Sequence, residues 1–114
     1  MPLVTDPAET RRHLALLRER RVAMPCFCTE NDWTTEAILE ATTAAGRRLG
    51  LEAPPISIAF TAGYAGRSNL EHYWTCGDQG MALQALMGSL EALLSPSGPY
   101  AACRVFPHLD HGQP

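Results

Sequence analysis

The sequence predicts an α/β fold built on parallel strands, and three observations carry that prediction. Short apolar runs at 22–28, 55–60 and 101–106 read as strands. Helix-length periodic segments separate them. Connections of that length are crossovers, which set neighbouring strands parallel.

The first helix signal is Asp6-Pro7-Ala8-Glu9, with Asp6 as the cap, Pro7 in the first turn and Glu9 three residues after the cap. Leu14 and Leu17 share a face, and the helix is expected to run to about Arg21. The strand at 22–28 contains Pro25, which cannot donate to a ladder and argues against a central position. Asn31 or Asp32 can cap the next helix, over about 34–49, where Ile38, Leu39, Thr42, Ala45 and Leu49 form an apolar stripe. Gly50 is placed to end it in a left-handed conformation. The strand at 55–60 leads into a glycine-containing loop over 61–69. Helix returns near 70–73 and again over 78–94, where Met81, Leu83, Leu86, Met87, Leu90, Leu93 and Leu94 supply a face to bury. After the loop at 95–99, the third strand runs toward His108.

Three strands are few for a finished parallel sheet, which is normally covered on both faces and leaves two open edges here. The 114 residues are therefore expected to be the N-terminal part, about three βα units, of a (β/α)8 TIM barrel, which needs about 250 residues.

A net charge of -3 gives no basic footprint, so nucleic acid and an anionic membrane surface are not expected partners. No uncharged apolar run reaches the length of a membrane span. The opening MPLVTDPAETRRH lacks the apolar core of a secretory signal. A cytoplasmic location follows as the expectation, with the four cysteines as reduced thiols rather than a disulfide framework. Small buried apolar positions are the expected role of Cys26, Cys28, Cys76 and Cys103, and His72 is expected on a helix surface.

The densest chemistry is "HLDH" at His108 to His111, followed by Gly112. In parallel α/β proteins such chemistry collects at the carboxyl ends of strands. Alternation puts His108 and Asp110 on one face and starts His111 on the other. The strand must therefore end or bend nearby for Asp110 and His111 to cooperate, which Gly112 permits. The competing reading is a set of solvated polar residues at a frayed terminus. A metallo-β-lactamase-type His-x-His-x-Asp-His string matches only in its last four positions, because Phe106 stands where its first histidine would be.

Taken together, the chain resembles the class II, zinc-dependent ketose-bisphosphate aldolases, the family of fructose-bisphosphate aldolase. Leu3-Val4 is similar to the family's opening, and Ala23 to Cys28 resembles a first strand of the type "AVGAFN". Ala37 to Ala41 resembles "AILEAA", and Pro55 to Thr61 resembles "PVIIQFS". Tyr64-Ala65-Gly66 is similar to a "YAG" that often follows, and "HLDHG" at His108 to Gly112 is identical.

The resemblance implies reversible aldol cleavage of a phosphorylated sugar such as fructose 1,6-bisphosphate, giving dihydroxyacetone phosphate and an aldehyde. It implies Zn2+ as cofactor, His111 as a zinc ligand and Asp110 as the acid/base that moves a proton at the aldehyde-derived oxygen. A zinc ion polarises the ketone and holds the enediolate as a Lewis acid. The chain contains no lysine, which excludes a Schiff-base route within these residues. Thr61 stands at the place of a family serine, and Asn31 loosely matches a family asparagine, so both are expected to contact substrate. Thr61 reads equally well as a turn-capping hydroxyl. Cys28 departs from the pattern, which has asparagine there. The family's two other histidines and its phosphate loops have no counterpart in these residues. The 114-residue chain is accordingly expected to be a truncated, inactive portion that binds zinc weakly. A second expectation, from a different class, is a non-catalytic α/β protein that pairs its open edges with another chain or with a copy of itself as a homo-oligomer.

Overall fold

The computed structural model describes residues 2–64, 66 and 68–111. Ala65 of the Tyr-Ala-Gly string and Gly112, expected to permit a bend, lie outside the described residues. The order is α1 (Pro7–Glu19), β1 (Cys26–Cys28), α2 (Asp32–Leu49), β2 (Pro55–Thr61), α3 (Asn69–Tyr73), α4 (Gln79–Leu93) and β3 (Arg104–Asp110). The three strands form one parallel sheet in the order β1-β2-β3. The α/β class and the parallel sheet are as the sequence predicts.

Each long helix begins on a side-chain cap. Asp6 accepts from the Ala8 N–H, Asn31 from the Thr34 N–H and Asp78 from the Met81 N–H, satisfying donors that have no partner in the first turn. Gly50 closes α2 at φ 68°, the left-handed value its position predicts.

Two strands differ in extent from the expectation. β1 covers three residues only. Pro25 stands just before it and contributes its carbonyl, which accepts from the Ser57 N–H. β3 runs further than its apolar segment suggests, through Asp110, so His108 and Asp110 are strand residues.

The core lies on one face of the sheet. Ile56, Ile58 and Phe60 of β2 and Val105 of β3 pack against Leu39 of α2 and Ala82, Leu86 and Leu90 of α4. α1 serves the other face. Its His13 ring meets Phe106 edge-on at 5.4 Å and its Nε2 lies 3.0 Å from Arg104 Nη1. The expected apolar face of α1 is not buried: Leu14 is 47% exposed. The stripe on α2 is buried only in part. Leu39 and Thr42 are inside, while Ala45 and Leu49 are exposed. On α4, Met81 is exposed, and Leu86 and Leu90 carry the packing.

The two edges of the sheet are unlike. Even-numbered residues of β3 hydrogen-bond toward β2, as in Arg104 N–H to Pro54 O, and odd-numbered ones face outward. At Val105 the outward groups are already paired. Its N–H donates to Pro2 O and its carbonyl accepts from the Val4 N–H, a parallel bridge to Leu3. The next outward residue is Pro107, which has no N–H to offer. In β1 the carbonyl of Pro25 and the N–H of Thr29 bond to β2, so the backbone groups of Cys26 and Cys28 point away from the sheet.

Candidate functional site

Asp110 is the last residue of β3 and stands in register beside Thr61, the last of β2. Partners in a parallel pair project from the same face, so the Thr61 hydroxyl and the Asp110 carboxylate share one side, as does His108. That side is opposite the hydrophobic core. The chain then turns at His111, whose φ of 53° is left-handed, a value uncommon in residues other than glycine and several-fold enriched in histidine. The bend expected near Gly112 thus occurs at His111 itself. It brings the His111 ring round to the carboxylate that strand alternation would have placed on the far side.

The result is a carboxylate between two imidazoles. Asp110 Oδ2 lies 3.4 Å from His111 Nε2, and Asp110 Oδ1 lies 3.9 Å from His108 Nε2. The Asp110 side chain is about one-third exposed and both histidines are about half exposed, so solvent reaches all three. Tyr64 lies against His111, ring centroids 4.7 Å apart and tilted by 43°. Chemically, the cluster can take up a proton on an imidazole and hold the resulting cation beside a carboxylate.

The carboxyl ends of the strands are held by Asn69. Its side-chain oxygen accepts from the Thr61 N–H at 2.6 Å, and its Nδ2 donates to Thr29 O at 2.7 Å. The Thr61 carbonyl accepts from the Ser68 hydroxyl at 2.7 Å. These bonds use the backbone of Thr61 and leave its hydroxyl on the site face.

Of the four residues the sequence nominates, the structure brings together Thr61, Asp110 and His111. Asn31 is elsewhere. Its side-chain oxygen accepts from the Thr34 N–H at 2.9 Å and the Thr34 hydroxyl at 3.2 Å, and it lines a cleft of about 470 Å³ with Asp32, Trp33, His72 and Tyr73. In that cleft Tyr73 donates to Asp32 Oδ2 at 2.9 Å, while Asp32 Oδ1 is buried without a partner. Burial, with this hydrogen bond second, pushes the Tyr73 phenol above its ordinary value.

Strand parity set His108 on the face of Asp110, as the structure has it, but gave it no role; Asn69 as the clamp was missed. Nothing local marks Asn69, whose two partners lie 8 and 40 residues away. The expectation that the cysteines are buried holds for Cys103 alone; Cys26, Cys28 and Cys76 are exposed.

The fit to zinc is partial. Among the described residues, no three His, Cys, Asp or Glu side chains are grouped so as to hold a metal ion, whereas a catalytic zinc site needs three protein ligands. Among the described residues, no helix is long and apolar enough to cross a membrane. No family model, curated protein or solved structure matches this chain.

Proposed function

We propose that the chain is the N-terminal portion of a class II, zinc-dependent aldolase barrel acting on a ketose phosphate in the cytoplasm. The observation that carries this reading is the position of Asp110, at the carboxyl end of a parallel strand with Thr61 beside it and His111 turned onto it. Asp110 and His111 belong to the "HLDHG" string. Asp110 moves the proton at the aldehyde-derived oxygen, Thr61 offers its hydroxyl to the substrate, and His108 and Tyr64 fix the surroundings of the carboxylate and of His111.

In this reading His111 is one zinc ligand, and the remaining ligands are not among the described residues. Residues 1–114 alone are therefore expected to lack aldol cleavage activity. The uncovered edge of β1 also supports the reading, because a closed barrel buries that edge beneath its last unit. Continuation past β3 would release Leu3 from Val105 and forgo one ladder bond at Pro107.

The test is a zinc titration followed by the ring resonances of the four histidines. Shifts concentrated at His111, abolished by Asp110→Ala together with His111→Ala, are expected. Shifts confined to His13 and His72, or robust aldol cleavage by residues 1–114, would overturn the proposal.

A further inference from the structure

Arg104, the first residue of β3, carries a charge that the fold leaves uncompensated. Its guanidinium Nε is buried and has no hydrogen-bond partner. Its Nη1 lies 3.0 Å from His13 Nε2, and because arginine only donates, the imidazole nitrogen is the acceptor and the ring is neutral. That contact leaves Nε and Nη2, the side-on fork of the guanidinium, unused. Among the described residues the ion pairs are His13 with Glu9, His108 with Asp110 and His111 with Asp110, so no carboxylate answers Arg104. A desolvated cation without a counter-ion is costly, and pairing is the usual remedy.

The same side chain lines a cleft of about 340 Å³ between α1 and the amino ends of β2 and β3. Leu16, Leu17, Val22 and Leu51 give the cleft apolar walls, and Arg20 and Glu52 line it as well. From these features we infer that the cleft binds a small organic monocarboxylate. Its carboxylate pairs with the side-on fork of Arg104, and its hydrocarbon body packs against the apolar walls. The inference does not rest on the aldolase reading, because Arg104 begins the strand that Asp110 ends and the cleft lies at the opposite rim of the sheet.

Three features select that class of ligand. The planar fork matches two coplanar oxygens, the geometry of a bidentate carboxylate. Of the charged side chains lining the cleft, Arg104 and Arg20 are cations and Glu52 is an anion. The surplus is one positive charge, which suits a monoanion better than a phosphate dianion. The volume is at the low end of the range for small-molecule pockets, about 300–1,000 Å³, and the apolar walls favour a ligand with a body over a bare ion. Nε itself is closed to solvent, so the guanidinium turns toward the cleft to present its fork when the anion arrives.

Benzoate is the probe that tests this. Titrated into the 114-residue chain, it is expected to saturate with a Kd on the order of 1 mM, the range of one ion pair and a small apolar contact. Magnetic-resonance shifts should centre on the Arg104 Nε–H and on the methyl groups of Leu16, Leu17, Val22 and Leu51. Acetate has the charge without the body, and benzyl alcohol has the body without the charge. Each should bind at least tenfold more weakly than benzoate, as should inorganic phosphate.

Arg104→Met keeps an unbranched side chain and removes the cation, so it is expected to abolish both the shifts and the rise in melting temperature that benzoate gives. Should that variant not fold, two exposed positions decide. Arg20→Gln should weaken benzoate binding about two- to fivefold, the worth of one exposed charge pair, and Glu52→Gln should tighten it by a similar factor. Equal binding by Arg104→Met, shifts centred elsewhere, or no saturation in the tens of millimolar would each defeat the inference. So would a Glu52→Gln variant that melts lower and binds no better, since Glu52 would then be the internal partner of Arg104.

Discussion

Asn69 accepts a 2.6 Å hydrogen bond from the backbone N–H of Thr61 through its side-chain oxygen. With its amide nitrogen on Thr29 O, this one residue of the short helix α3 ties the ends of β2 and β1. Replacing Asn69 by alanine leaves a donor and an acceptor without partners, each costing about 1–3 kcal/mol when buried. Both groups are only part-buried. Asn69→Ala is therefore expected to destabilise the fold by about 2–3 kcal/mol in urea unfolding. The Thr61 amide should lose its protection from hydrogen exchange at the same time. Unchanged protection would show that β2 is held by other contacts.

Gly98 follows the carboxyl end of α4 where there is no room for a side chain. A methyl group built there would sit 2.7 Å from Ala92 O and closer still to the Leu93 carbonyl, both rigid backbone. Gly98→Ala is expected to cost about 1–3 kcal/mol. Gly88, whose added methyl would meet nothing within 4 Å, supplies the control: Gly88→Ala should be neutral or stabilising, because glycine disfavours a helix interior by about 1 kcal/mol. Thermal melts of the two variants check the contrast.

Burial raises the Cys103 thiol above its usual value, against a smaller opposing effect of its hydrogen bond with Thr43. The folded protein therefore holds the Cys103 proton to higher pH than the unfolded chain does. Its contribution to stability is full below the thiol's unfolded value, about 8.5, and is lost as pH rises from there through the folded one. Cys103→Ala should flatten the stability profile in that alkaline window. Thiol labelling at neutral pH should modify Cys26, Cys28 and Cys76 in the folded protein and reach Cys103 only in denaturant.

The Asp110 cluster predicts a separable effect. Asp110→Asn keeps the shape of a side chain that is about one-third exposed, so its effect on stability should stay within about 0.5 kcal/mol. In a chain carrying the complete set of zinc ligands, the proposed aldol cleavage should fall by about 10²-fold or more, the scale of general acid–base catalysis. Cleavage that survives this substitution would remove Asp110 from the proton-transfer role.

Much of the architecture was legible because its signals are local. Asp6 and Gly50 mark helix ends through short-range hydrogen bonding and backbone freedom, and the structure uses each as its type suggests. The site was legible in part. Asp110 and His111 stand next to each other in the chain, but their cooperation depends on a left-handed turn at His111, which residue identity does not specify. Asn31 shows the converse. It was nominated both as a cap and as a substrate contact, and its oxygen is engaged as a cap. Burial of α2 was misread for a tertiary reason. Ala45 and Leu49 have the periodicity of a core stripe, yet among the described residues both stay exposed.

Pro107 has an effect larger than the single amide it lacks. A sheet able to recruit neighbours on both sides grows without limit, since each recruit exposes another sticky border. With Val105 already bridged to Leu3 and no N–H at Pro107, the β3 border offers an incoming strand fewer backbone partners than the β1 border does. One ring in the backbone thus denies a growing sheet a regular foothold on this side.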